Sequence, residues 1–395
     1  MNHKPLNPPD GGTIRIHELL NGLRASGHNV RFAYWGAHSD GTSVQDTGVP
    51  KPASSAMMKF AEKLYRGREG AAAIDLMTCV HPSLLRGITG QIKEAEILQA
   101  EQIWSAPLPL AYGRVVNKIR ILDEHNCEAL LARRLASHVK NPGVYSNWIT
   151  YVTALERICC SLADSIVATS DDDRESLARL HGISLNKIEV IPNGSDIKKY
   201  HPDPEAGARA RRSLGIGPST PVLTYVGRYP YPPNRLAIEY IQETLAPELW
   251  KSHPDAVFLI VSRQVPKGRL LKDPRILEVT DLDDFPYVNA ADVCLAPLQV
   301  GGGTRIKLMN YMACGKAVVS SPIGCEGIKV RDGTELVVSS MEEFPARVRD
   351  LLGDRRLMAE LGVNARRFVE TAHSWASTAK SFERLHQKLL STNGN

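Results

Sequence analysis

The chain has 395 residues, 43% of them hydrophobic and 23% charged, with a formal net charge of +5. That length asks for two domains rather than one core. No run of about 18 apolar residues is present to cross a membrane as a helix, and the first twenty residues lack an apolar signal core, so a cytoplasmic setting is expected. The mild positive charge permits an anionic ligand or lipid surface, while the 6% aromatic share, with no basic-aromatic interleaving, excludes nucleic acid as a partner. Seven cysteines without a CxxC pair fit buried thiols in a reducing compartment better than disulfides or a zinc site.

In chain order, PPDGGT (8–13) places Gly11 and Gly12 before a helical pattern at 14–27. Bare backbone at a helix start is a weak anion-site signal taken alone. VRFAYW (30–35) reads as the first buried strand. The segment 54–70 sets Met57, Met58, Phe60, Leu64 and Tyr65 among Lys59, Lys63, Arg66 and Arg68. Such a helix either packs on a sheet or lies on an anionic membrane surface, which would make the protein peripheral at the inner face. Strands follow at 95–101, 119–125, 165–170 and 187–193, with a helix at 147–163. His125 closes the 119–125 strand beside Asp123 and Glu124, which could orient it or raise its pKa; from the residues alone a structural role is the commoner one for a lone histidine. The acidic run at 171–174 suits a helix start.

The polar stretch 195–210 reads as a linker. Strand-like runs restart at 221–228, 256–263, 276–281, 292–297 and 316–321, and a last helix covers 378–390. Alternating strands and helices predict α/β architecture with parallel sheets. The expected domains are 1–200 and 201–376, with 377–395 a closing helix. In such sheets ligands bind beyond the carboxyl ends of the strands.

Two stretches at predicted strand ends carry chemistry. In GGGTRIKLMN (301–310), Gly301, Gly302 and Gly303 expose backbone N–H groups, a helix is expected from about Thr304, and Arg305 and Lys307 add charge, the combination that binds phosphate. Arg305 is expected on the next helical face, toward solvent. In VGRYPYPPNR (226–235), Gly227 and Arg228 end a strand, prolines fix the loop, and Asn234 falls near the cap of the next helix.

The order PPDGG, DEHN, VIPNG, VGR, GGGTRIK, ACGKAVVSSPIG, EG resembles the GT-B glycosyltransferases of the GT4 type, the glycosyl transferase group 1 family, over nearly the whole chain. The resemblance implies a GT-B fold of two doubly wound Rossmann-like domains facing a central cleft. It implies a retaining, metal-independent transfer of sugar from a nucleotide-sugar donor, a UDP-sugar for preference, to a sugar, lipid-linked or small-molecule acceptor, in cell-envelope, exopolysaccharide or other glycoconjugate synthesis. No further cofactor is implied. On this resemblance His125, Arg228 and Lys307 are the candidate catalytic residues. Gly11, Gly12, Asn234, Gly302, Gly303, Thr304, Arg305, Asn310 and Glu326 are candidate binding residues, and Asp281, Asp283, Asp284 and Phe285 are expected at the base, the acids not forming a metal site.

The chain departs from the family pattern in two places. Gly302 and Asn310 occupy positions that typically carry two glutamates, which leaves the sugar without a carboxylate there; Glu326 is a substitute or a helix cap. Only MNHKPLN precedes PPDGG where an apolar strand is usual, so either the coding start lies upstream or the N-terminal half is the less stable one. A nucleotide-sugar 2-epimerase-like isomerase would need the paired carboxylates; a non-catalytic scaffold would not.

Overall fold

The computed structural model describes residues 11–35, 47–49, 82–138, 145–262, 265, 268, 273–280 and 283–393. The amphipathic segment 54–70 and Asp281 lie outside them, as do the residues before Gly11. The chain forms two compact units, one of residues 1–192 with 378–395, the other of residues 193–377.

In the first unit, β1 (Ala33–Trp35) pairs in parallel with β2 (Thr47–Val49). A four-stranded parallel sheet follows: β3 (Ile97–Glu101), β4 (Ile119–Glu124), β5 (Ser165–Ala168) and β6 (Ile188–Val190), in that order. The inner strands are apolar because both faces are covered. On one face Leu19 and Leu23 of the helix Gly11–Ala25 pack with Ile121, Val167 and, from the terminal helix Trp375–Asn393, Phe382 and Leu385. On the other, Leu122, Ile166 and Ala168 meet Val152, Leu155 and Cys159 of the helix Ser146–Leu162. The acidic run opens the helix Asp171–His181, but its cap is Ser170, whose hydroxyl accepts the Asp173 N–H at 3.1 Å.

The second unit holds a six-stranded parallel sheet in the order β12 (Val337–Val338), β11 (Ala317–Ser320), β10 (Val293–Ala296), β7 (Val222–Val226), β8 (Val257–Val261) and β9 (Ile276–Val279). Its two helical layers bury Leu223, Tyr225, Phe258 and Leu295 on one face and Cys294, Ala296, Leu308 and Met312 on the other. Each large apolar side chain so buried contributes about 1.5–3 kcal/mol.

The expected linker is partly a helix, Pro204–Ser213. Asp203 caps it by accepting the Ala206 N–H at 2.9 Å, and Pro204 starts it. Its buried face is Ala206, Gly207 and Ala210, too small to register as an apolar stripe. A Cβ at Gly207 would stand 2.4 Å from the Asn289 carbonyl oxygen, so the smallness is what lets the helix dock.

Candidate functional site

In the second unit the chain runs from β7 outward through β8 and β9, then returns to lay β10 against the other side of β7 and continues to β11 and β12. The connections after β7 and β10 therefore diverge to opposite faces, leaving a crevice at their carboxyl ends, where ligands bind in such sheets. The loops rising there are Gly227–Tyr231 and Pro297–Arg305, the two singled out by sequence.

Lys307 lies near the start of the helix Ile306–Ala313. Its ammonium donates to Asn234 Oδ1 at 2.7 Å and Tyr225 Oη at 3.0 Å, and sits 4.3 Å from the centre of the Tyr225 ring. Tyr225 in turn donates to Asn234 Oδ1 at 2.8 Å, and Asn234 Nδ2 donates to the Arg228 carbonyl at 3.0 Å. Tyr311, one turn beyond Lys307, accepts the Val226 N–H at 2.7 Å, tying this helix to the end of β7. Among the described residues no carboxylate ion-pairs with Lys307. Burial, with the Arg305 charge adding to it, pulls its pKa down to about 7. A desolvated lysine whose partners are all neutral is poised to gain charge when an anion arrives. Gly227 makes room for it: a Cβ there would lie 2.7 Å from Asn234 Cγ and 2.8 Å from Lys307 Nζ. Sequence reasoning had no place for Tyr225; the signal was its position two residues before Gly227 on the strand.

The glycine loop differs from expectation in two respects. The helix begins at Ile306, with Arg305 rather than Thr304 at its N-cap. Arg305 is buried instead of facing solvent. Its guanidinium turns back under the loop, donating to the carbonyls of Gly302, Gly303 and Ile323, with Glu326 Oε2 at 3.8 Å. The charge so bound shapes the loop from below, because satisfying three carbonyls leaves it little freedom to reach a ligand. Gly303 has φ of +63°, a conformation that favours glycine. Thr304 Oγ1 accepts from Asn193 Nδ2 at 2.8 Å, and Asn310 Oδ1 accepts from Ser195 Oγ at 2.8 Å. The NGS stretch at 193–195 thus props both residues, a role sequence reasoning missed. Glu326 ends the short helix Pro322–Cys325 at its C-cap position.

Asp283 and Asp284 precede the helix Phe285–Ala290. Asp284 accepts the Tyr200 hydroxyl at 2.7 Å, and burial raises its pKa. Asp283 pairs with Lys199 at 3.0 Å, and the Phe285 ring lies 5.1 Å from that of His201. Both acids have neighbours in the 199–201 segment.

In the first unit, Gly11 and Gly12 are the opening residues of their helix. One residue of that helix was not foreseen: Arg15, fully buried, grips Asp123 with two bonds of 2.8 and 2.9 Å and donates to the Ile191 carbonyl. His125 follows directly on β4, but it is Glu101 and Gln102 at the end of β3 that orient it. Glu101 Oε2 lies 3.0 Å from Nε2 and Gln102 Nε2 lies 2.9 Å from Nδ1, so both ring nitrogens are engaged. Asp123 is farther, at 3.7 Å, and Glu124 points to the other face of the strand, as alternation requires. Burial and then the Asp123 charge raise the Glu101 pKa. Gln102 adopts φ of +62°, an uncommon cost for a non-glycine residue that places its amide against the histidine.

This pair of parallel-sheet units is the GT-B fold. Sucrose-phosphate synthase from Thermosynechococcus elongatus superposes with a TM-score of 0.75 over 97% of this chain and 94% of its own, at 18% identity. Anabaena HepE in complex with UDP gives 0.70 over 97% of both chains at 14% identity. The profile described as Glycosyltransferase Family 4 matches residues 9–199, and that described as Glycosyl transferases group 1 matches 220–354. The chain belongs to the group 1 glycosyltransferases of the GT4 type. D-inositol 3-phosphate glycosyltransferase of Nocardia farcinica is 28% identical over 242 residues, 55% of this chain and 51% of that protein. A GDP-mannose-dependent alpha-(1-6)-phosphatidylinositol monomannoside mannosyltransferase of Mycolicibacterium smegmatis is 30% identical over 243 residues, 56% of this chain and 62% of that protein. The chain thus spans about half the length of the first of these curated relatives.

Proposed function

We propose that the protein transfers a sugar from a nucleotide diphosphate to an acceptor hydroxyl, and that the carrying observation is Lys307. A lysine held by neutral partners at the switch point of a parallel sheet, beside a glycine loop, suits a diphosphate better than any neutral ligand. Lys307 and Arg228 are assigned to the diphosphate, with the backbone of Gly302, Gly303 and Thr304; Asn310 to the ribose; and the 283–285 segment to the base. His125, held by Glu101 and Gln102, is the acceptor-side contact. A UDP-sugar is the favoured donor, supported by a structural neighbour bound to UDP. Relatives named for inositol 3-phosphate and a phosphatidylinositol monomannoside support a polyol or sugar hydroxyl as acceptor, in glycoconjugate synthesis.

The chemistry assigned is retaining, with a phosphate oxygen of the departing diphosphate taking the acceptor proton. Charge grows on that diphosphate as the glycosidic bond breaks, so cations placed there lower the barrier without a nucleophile. Because the protein's own cations do this, the donor step is proposed to need no divalent ion. The test is a thermal-shift screen with UDP-, GDP-, ADP- and dTDP-sugars, followed by measurement of nucleotide release with and without acceptor. Specific stabilisation by one donor and acceptor-dependent release support the proposal. Binding without release under any acceptor would leave a scaffold, and isomerised donor without transfer would reveal the epimerase.

A further inference from the structure

On the other face of β4 from Asp123 lies a second buried polar cluster that donor chemistry does not use. Cys127 follows the strand, Glu156 comes from the helix Ser146–Leu162, and His181 ends the helix Asp171–His181. One ligand atom from each, thiol sulfur, carboxylate oxygen and ring nitrogen, lies within 4.8 Å of the other two, and all three residues are buried. Glu156 accepts the N–H groups of Glu128 and Ala129 at 2.6 and 3.2 Å and lies 2.5 Å from His181 Nε2, so its position is fixed.

Three further atoms there have no partner. Both carboxylate oxygens of Glu124, which is wholly buried, and Nδ1 of His181 make no hydrogen bond. Glu124 shares its face of β4 with Leu122, which packs with Val152, Leu155 and Cys160 of the helix that carries Glu156. Among the described residues no lysine or arginine pairs with Glu124, Glu128 or Glu156. Unpaired buried carboxylate oxygens cost enough that such groups normally signal a missing water or ion. A mixed sulfur, nitrogen and oxygen donor set with no exposed position suits a structural zinc-class ion.

We propose that Cys127, Glu156 and His181 bind a divalent cation of the zinc class, with the Glu124 carboxylate as an outer partner reached through a water. The ion bolts the loop after β4 to two helices and so fixes the segment that carries His125. Loading turns the Cys127 thiol into a thiolate, its proton passing to solvent; His181 binds as neutral imidazole. The site is distinct from the donor crevice, which lies in the second unit.

The full chain, unfolded in denaturant with a strong chelator, is refolded with Co²⁺, with Zn²⁺ or with chelator alone. The expected result is about one equivalent of tightly held metal, a higher melting temperature than in chelator, and a thiolate-to-cobalt charge-transfer band. Cys127→Ala should abolish that band, whereas Cys160→Ala, which alters a neighbouring thiol outside the ligand set, should keep it. Glu124→Gln should weaken metal affinity about 10–100-fold, the usual loss when an outer partner is removed. If Cys127→Ala does not fold, the metal content and spectrum of the unaltered chain still decide. Equal melting with and without chelator, no thiolate band, or a band that survives Cys127→Ala overturns the proposal; a loosely held ion that dialyses away without a band is adventitious only and does the same.

Discussion

The carboxyl edges of the two sheets solve opposite problems. In the first unit, Arg15, Asp123, His125, Glu101 and Gln102 satisfy one another, and the charges are closed off. In the second, Lys307 rests on an asparagine and a tyrosine, and the loops above it are glycine-rich. A satisfied buried network rigidifies a fold, while a cation given only neutral partners retains its affinity for an anion. The same strand-end geometry therefore holds a closed network that fixes His125 in one unit and leaves a cation open to a ligand in the other, and substitutions should separate the two.

The largest effect is expected at the closed network. Asp123→Asn removes the carboxylate charge that faces the buried Arg15 and should cost about 3–5 kcal/mol of stability. Denaturant unfolding measures it; a loss below about 1 kcal/mol would show that the network is not closed as described. Next comes Lys307→Ala, for which turnover at saturating donor should fall about 10²–10³-fold. Melting temperature should hold or rise, because a desolvated cation is removed. A stability loss with normal turnover would invert the comparison.

Gly227→Ala tests whether the second edge depends on space. Its methyl would meet Asn234 and Lys307 at 2.7–2.8 Å, so about 1–3 kcal/mol of overpacking is expected together with weaker donor binding. Unchanged nucleotide affinity in a folded variant would move the donor elsewhere. The smallest effect is with pH. Lys307 titrates near 7 without ligand, so it is charged below that value and neutral above it. Nucleotide diphosphate affinity should therefore fall as pH rises past 7, by at most about tenfold per unit, with proton uptake on binding. Calorimetry in two buffers of different ionisation enthalpy checks this, and a slope that persists in Lys307→Ala would assign the proton to another group.

Strand positions were legible because period and composition report burial directly: of the twelve strands among the described residues, ten fall inside runs recognisable as apolar segments. The exceptions, Thr47–Val49 and Val337–Val338, are three and two residues long, too short for periodicity to emerge. The helix Pro204–Ser213 escaped because its buried face is alanine and glycine. At the site, GGGTRIK and VGR were visible because bare backbone and cations are chemically distinctive. The inward turn of Arg305 was not, since local sequence cannot say whether a long cation meets solvent or the carbonyls of its own loop.

By itself the sequence determined the α/β architecture, the two strand-end loops and the presence of Lys307 and Arg228 within them, all consequences of local composition. Only tertiary structure decided which polar groups meet: Arg15 with Asp123 across 108 residues, His125 with Glu101 from the neighbouring strand, Lys307 with the neutral Tyr225 and Asn234. The reason is that a charge's pKa and availability depend on its neighbours within a few ångströms, and parallel sheets bring those neighbours from distant points in the chain.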